Sequence, residues 1–160
     1  EDGPKLNVLG YKADGVELET TLASGAFAVN FNAVYSKEVI TKNLVVPGDV
    51  GKTSGGVPRV RYTISPRYTL GGFTLGATVR GQSGVFADGG NVRKIDGHYI
   101  VNAFANYDFG NGITASVNVN NVFDKLYPAS GGGFVGGSST VFGAGIEAGR
   151  TISASVRYAF

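Results

Sequence analysis

His98, Asp96 and Ser83 are the residues from which a nucleophilic triad could be assembled, and His98 is the only histidine in the 160-residue chain. A triad needs a base in reach of its nucleophile and a carboxylate to orient that base. No G-x-S-x-G turn and no supporting spacing are present. A metal centre is not expected, because there is no Cys and no carboxylate pair beside His98. Glu17 and Glu19 stand two apart and share one side of any strand. Paired carboxylates can do acid–base work, but here they read as hydration and ion pairing of a polar face. Gly131-Gly132-Gly133 and Gly136-Gly137-Ser138-Ser139 lack the strand–loop–helix setting and the Lys of a phosphate cradle, so they read as a flexible loop. Arg59, Arg61, Arg67, Arg80 and Arg157 all fall on the polar side of alternating segments. Two readings of them stay open: a positive wall that guides anionic solutes, or ion pairing with Glu17, Glu19 and Asp108. Catalysis is not expected, and no cofactor is implied.

The elements that carry these residues are strands. From Arg150 the chain reads RTISASVRYAF, with Ile152, Ala154, Val156, Tyr158 and Phe160 on one face and Thr151, Ser153, Ser155, Arg157 and Ala159 on the other. That period of two is the mark of a strand with one apolar and one polar face. The same alternation predicts strands over 15–22, 26–36, 57–70, 73–81, 98–109 and 113–123, seven in all. No segment has helical periodicity. Pro58 and Pro66 fall on the apolar face, and Pro66 predicts a bulge or a weak point in its ladder. Residues 5–11 (KLNVLGY) offer a short, Gly-interrupted candidate for the tail of an eighth strand.

The connections alternate in length. Short turns are expected near Ala23–Gly25, Gly71-Gly72 and Gly110–Gly112, and long loops near 37–56, 87–97 and 124–149. Transmembrane barrels have this asymmetry, with short periplasmic turns and long extracellular loops. Aromatic residues sit near strand ends, as interface girdles require: Phe27, Tyr35, Tyr62, Tyr68, Phe73, Tyr99, Phe109, Phe123, Tyr158 and Phe160. A soluble antiparallel sandwich also alternates, but its strands run to five or six residues. The polar faces here are rich in Asn, Ser, Thr and Arg, which suits a hydrated lumen. The fold expected is all-β: an antiparallel transmembrane barrel segment of about seven strands.

Bulk properties agree. A mean hydropathy of +0.06 hides an apolar half at every second position. A net charge of +2 with dispersed Arg excludes a nucleic-acid surface. The start EDGPK has neither the basic region nor the apolar core of a secretion signal, so a mature, processed or truncated product is expected.

Several stretches resemble the barrel of TonB-dependent receptors. GVELET (15–20) is similar to a family strand, and residues 91–128 are similar to a strand–turn–strand run. That run leads into Asn120-Asn121-Val122-Phe123-Asp124-Lys125-Leu126-Tyr127, and the fourth stretch is Gly149-Arg150 with the terminal strand ending in Tyr158-Ala159-Phe160. The resemblance implies outer-membrane, energy-coupled import of a scarce ligand such as an iron–siderophore, a cobalamin or a glycan. It implies as partners the outer-membrane lipid, the receptor's own plug domain, the TonB complex and the barrel-assembly machinery, for which Tyr158 and Phe160 would be the signal. The lumen arginines Arg59, Arg61, Arg67 and Arg80 become candidates for contact with the plug or the ligand. The final long loop, with its Gly clusters, becomes a candidate for ligand recognition. For the NNVFDKLY run, Asp124 is expected to cap a turn and Tyr127 to anchor at the interface, setting loop geometry without touching substrate. Family barrels have about 22 strands, so residues 1–160 are expected to be a C-terminal part of one, with the plug domain absent and Phe160 a genuine terminus. The alternative is a small self-contained eight-stranded barrel with an adhesive or structural role. A membrane-embedded enzyme would need a catalytic cluster at the rim, and none is found.

Overall fold

The computed structural model describes residues 8–127 and 146–160. Its strands are β1 (Leu9–Ser24), β2 (Phe27–Asn43), β3 (Val60–Leu70), β4 (Phe73–Gln82), β5 (Val85–Phe86), β6 (Lys94–Ile95), β7 (His98–Asp108), β8 (Ile113–Asn120) and β9 (Thr151–Tyr158). One 3₁₀ turn spans Pro47–Asp49. Seven strands form a single open sheet in the order β1-β2-β3-β4-β7-β8-β9, and β5 pairs with β6 in a separate hairpin. Each pairing in the large sheet is antiparallel between chain neighbours.

The register keeps the two faces pure. Leu22 opposes Val29, Leu18 opposes Ala33 and Val16 opposes Tyr35, while Glu19 opposes Asn32 and Thr21 opposes Asn30. A slip of one residue would put every apolar side chain on the wrong face. Among the described residues nothing covers the apolar face: Val16 is 71% exposed, Ile152 69% and Val156 75%. A soluble sandwich would bury these residues against a second layer. They are built for an apolar medium. Aromatics band this face near each end. Tyr35, Tyr62 and Tyr99 lie toward the long loops, and Phe27, Tyr68, Phe73, Tyr107 and Tyr158 toward the short turns. From Phe27 to Tyr35 is roughly 26 Å at ~3.3 Å per residue, of the order of the ~25 Å apolar band of such barrels.

Three expectations need correction. Residues 37–43 were expected in a loop but continue β2, paired to Leu9–Asp14. This outer stretch carries Lys12, Asp14, Lys37 and Lys42 and has no alternating apolar pattern, because beyond the apolar medium a ladder needs only its backbone bonds. Residues 9–11 are accordingly the start of β1, not part of a further strand, and Gly10 marks a register shift where Thr41 is the extra residue on β2. The connection expected as a loop at 87–97 begins earlier and is organised by the β5–β6 hairpin, with β5 just before that span and β6 inside it. Pro66 makes a weak point and no bulge. Ile64 still opposes Val79 and Arg67 opposes Gly76, with the intervening β3–β4 pairs missing from the ladder and the register unshifted.

Phe104 is an aromatic on the polar face, opposite Gly76. A Cβ at Gly76 would collide with the Phe104 ring and come within 3.1 Å of the Pro66 carbonyl. The glycine therefore makes room for the ring beside the interrupted ladder. Gly76→Ala is expected to cost about 1–3 kcal/mol by overpacking, and adding Phe104→Ala should recover much of the loss. Urea unfolding of the full-length protein refolded in lipid vesicles reads both variants. An unchanged midpoint for Gly76→Ala would mean the ring moves away freely.

Candidate functional site

At the long-loop end the polar face holds a cleft of about 520 Å³, lined among others by Asn32, Arg61, Thr63, Arg80, Gln82, His98 and Glu147. The register assembles it. Arg61 opposes Gln82 and Thr63 opposes Arg80 across β3–β4, and His98 opposes Gln82 across β4–β7. Arg61 and Arg80 are thus diagonal neighbours on one wall. Arg80 lies 3.7 Å from Glu147, which arrives from the last long connection. Both charges are partly solvated, so the pair orients side chains more than it stabilises the fold.

The structure separates the other arginines from this pair. Arg59 lies before β3 and donates from Nη2 to Thr53 Oγ1 at 2.9 Å, inside the loop layer. Arg67 opposes Ala28 near the short-turn end. Arg157 opposes Thr114 on β8–β9. Among the described residues no ion pair joins these arginines to Glu17, Glu19 or Asp108; Arg80 uses Glu147. Glu19 lines a second polar hollow of about 290 Å³ with Thr21, Asn30 and Ser65.

The rim of the cleft is held by Asn121, which sequence reasoning passed over in favour of Asp124. Asn121 is 5% exposed and has φ of 49°. Its backbone N–H donates to Asn102 Oδ1 at 2.9 Å, and its Nδ2 donates to the carbonyls of Lys125 at 2.8 Å and Ala148 at 3.1 Å. Its Oδ1 accepts the N–H of Lys125. One amide therefore closes the turn after β8 and tethers the chain returning to β9. Asn suits this post because it tolerates a left-handed backbone and offers both donor and acceptor. Asp124, also left-handed at φ of 51°, does not cap a local turn as expected. Its Oδ1 accepts the N–H of Arg150 at 2.7 Å, 26 residues on. Tyr127 is not an interface anchor. It stacks on His98 with centroids 4.8 Å apart, and Glu147 donates its N–H to the Tyr127 carbonyl. His98 Nδ1 is buried without a hydrogen-bond partner among the described residues. The asparagine pair at 120–121, where a strand ends, was the available sequence signal. The Gly clusters at 131–133 and 136–139 lie outside the described residues.

Two other connections form one layer over the strand ends. Asn91 Oδ1 accepts the N–H of Thr53 at 3.0 Å while its Nδ2 donates to the Thr53 carbonyl at 2.7 Å. Gly56 donates its N–H to the Phe86 carbonyl. Buried Ile40, Val85 and Ser54 lie in or beside this layer. Asp88 shapes the turn by accepting the N–H groups of Val92 and Arg93 at 3.0 and 2.9 Å. Partial burial pushes its carboxyl up, but those hydrogen bonds and the charge of Arg93 outweigh it and hold it below its ordinary value of 3.8.

Asn121→Ala removes the donor to the carbonyls of Lys125 and Ala148 and the acceptor for the Lys125 N–H. It should cost about 1–3 kcal/mol locally and make the chain between β8 and β9 the first site of limited proteolysis. Equal cleavage rates in wild type and variant would remove the tether. Asp88 has a depressed folded-state value, so its contribution is present above the unfolded value of 3.8 and is lost as pH falls through the folded one. Amide exchange at Val92 and Arg93 should accelerate only below that pH. Asp88→Asn should show fast exchange already at neutral pH.

Residues 3–122 match the family model described as TonB dependent receptor-like, beta-barrel. The Ferrioxamine B receptor of Salmonella typhimurium is 31% identical over 98% of this chain, and the match spans 22% of that protein. The Ferrichrome outer membrane transporter/phage receptor of Escherichia coli is 30% identical over 74% of the chain and is matched over 17% of its own length. In fold, the sheet superposes on the ferric yersiniabactin uptake receptor FyuA from Yersinia pestis with a TM-score of 0.80 at 24% identity, covering 96% of this chain and 24% of that one. The siderophore receptor PiuA from Acinetobacter baumannii gives 0.79 at 23%, covering 95% and 22%. The chain thus spans about a fifth of the length of the curated relatives it matches. These relatives are receptors and transporters and not enzymes. On its sequence, its ladder and its uncovered apolar face, the chain belongs to the TonB-dependent receptors, β-barrel proteins of the Gram-negative outer membrane.

Proposed function

We propose that residues 1–160 form a C-terminal part of the barrel wall of an importer of ferric siderophores, driven through the TonB complex. The observation that carries this reading is the 31% identity to the Ferrioxamine B receptor over nearly the whole chain. A ferric-pyoverdine receptor of Pseudomonas putida, 36% identical over 74% of the chain, points the same way. Cobalamin and glycan cargo find no counterpart in these relatives. In this reading the polar face lines the lumen, and the cleft with Arg61 and Arg80 lies beneath the outer mouth. A plug domain elsewhere in the receptor closes that lumen. Tyr158 and Phe160 present the assembly signal: their rings lie 6.2 Å apart, and Phe160 is fully exposed.

Among the described residues the two open edges are unequal, 16 residues against 8, which suits a self-contained eight-stranded barrel poorly.

Arg61 and Arg80 act on an anionic cargo or on the plug as exposed charges, each worth about 0.2–1 kcal/mol. In the full-length receptor, Arg61→Ala with Arg80→Ala should raise the half-saturation concentration for radiolabelled ferric siderophore about twofold to tenfold. Ferrioxamine B, ferrichrome and pyoverdine would serve as probes. Arg67→Ala, which leaves the cleft intact, should change nothing. Uptake of none of the three by the wild-type receptor would overturn the siderophore reading itself.

A further inference from the structure

The outward face of the β1–β2 hairpin changes character at one register step. Along β2 the outward row reads Phe27, Val29, Phe31, Ala33 and Tyr35, and along β1 it reads Leu22, Thr20, Leu18 and Val16, with no charge anywhere. The next registered pair is Lys37 opposite Asp14. Then comes Lys12 opposite Val39, then Lys42 opposite Gly10. Directly paired residues share a face of the sheet. A Cβ at Gly10 would lie 3.1 Å from the Cβ of Lys42, so the bulge at Thr41 returns Lys42 to the same outward side. Three ammonium groups thus rise in steps of roughly 7 Å along and across two strands. They begin one pair beyond Tyr35, where hydrocarbon gives way to headgroups.

Among the described residues only Lys12 of these three has a charged partner, and that pair is open to solvent. Lys12 lies 3.2 Å from Asp14, but both side chains are about 70% exposed. Lys37 and Lys42 are exposed and in no ion pair among the described residues. The excess of three cations over one carboxylate faces away from the lumen, toward what surrounds the barrel at that height. In an outer membrane that neighbour is the outer leaflet.

We propose that Lys12, Lys37 and Lys42 form a binding site for the phosphate groups of an outer-leaflet lipid, whose acyl chains lie against Val16, Leu18 and Tyr35 beneath them. The flexible lysine stems let the ammonium groups reach phosphates at different heights, and the apolar row continues directly below the charged one. The site uses the outer extension of the hairpin, which the lumen does not need. It stands independently of the cargo.

The full-length receptor in discs of phosphatidylethanolamine containing a minor share of diphosphoryl lipid A tests this, with retained lipid A counted by native mass spectrometry. A lysine near an anionic surface is worth roughly fivefold in partition. Lys12→Gln, Lys37→Gln and Lys42→Gln together should therefore reduce retention at least about tenfold. The triple Lys→Arg variant should keep it, and Lys52→Gln with Lys94→Gln, away from this face, should leave it unchanged. Dephosphorylated lipid A should be retained weakly by wild type and variant alike, and free inorganic phosphate should not displace the bound lipid. Equal retention by the triple Gln variant, equal retention of the dephosphorylated lipid, or an equal loss in the Lys52/Lys94 control would each overturn the site.

Discussion

The antiparallel ladder is the constraint from which the rest follows. In hydrocarbon every backbone N–H and C=O must find a partner inside the protein, and an unmade bond costs several kcal/mol. The large sheet therefore continues from β1 to β9, each strand pairing with the next of its sheet in chain order, and the short-turn side uses connections of only a few residues. Its gap inside the apolar band, at Pro66, sits beside Gly76, which leaves room there for the Phe104 ring. Side chains are secondary to this scaffold. They need only match the medium on each face, which is why the chain buries so few of them.

Once the ladder is fixed, the site is a consequence of register. Arg61 and Arg80 are 19 residues apart in sequence and meet because the β3–β4 pairing sets Thr63 opposite Arg80. The wall alone would be a flat polar surface. Depth comes from the connections: Asn121 holds the return to β9 close enough for Glu147 to reach Arg80, and the Tyr127–His98 stack fixes the same segment over the start of β7. The layer built on Thr53 and Asn91 does the same for the two preceding loops. In each case an asparagine side chain makes two-way hydrogen bonds to backbone, so long connections gain fixed geometry with little apolar burial beyond Ile40 and Val85.

The membrane-spanning half of each strand was legible because lipid imposes a period of two on every outward position. Ile152 to Tyr158 and Phe27 to Tyr35 carry that imprint in full. Above the girdle no such pressure acts, and the ladder from Leu9 to Asp14 and from Lys37 to Asn43 left no apolar signature to read. The polar-side roles were harder still. That Asp124 would bind Arg150, or Arg59 would bind Thr53, depends on which loops meet in space, and no local pattern encodes that meeting. Tyr127 was misplaced for the same reason. An aromatic beside a strand end is equally suited to lipid or to a ring on the inner side, and His98 decides between them only once β7 and the loop are side by side.

The direction of the edge strands carries the last step. β1 runs from the long-loop end to the short-turn end, and with seven strands alternating in direction β9 runs the same way. The two edges are therefore parallel and cannot pair to close an antiparallel barrel. They are also unequal, 16 residues against 8, so half of β1 would face no partner. Closure needs an odd number of further strands between them. A barrel of about 22 strands, the size of outer-membrane transporters, supplies an odd number beyond these seven. An eighth strand alone would also satisfy the parity, but so small a barrel fills its interior with side chains. Here the inner wall presents solvated Arg61, Arg80 and Glu19 around open clefts. That wall suits a wide, hydrated lumen, and so the sheet's own geometry and chemistry ask for the larger barrel.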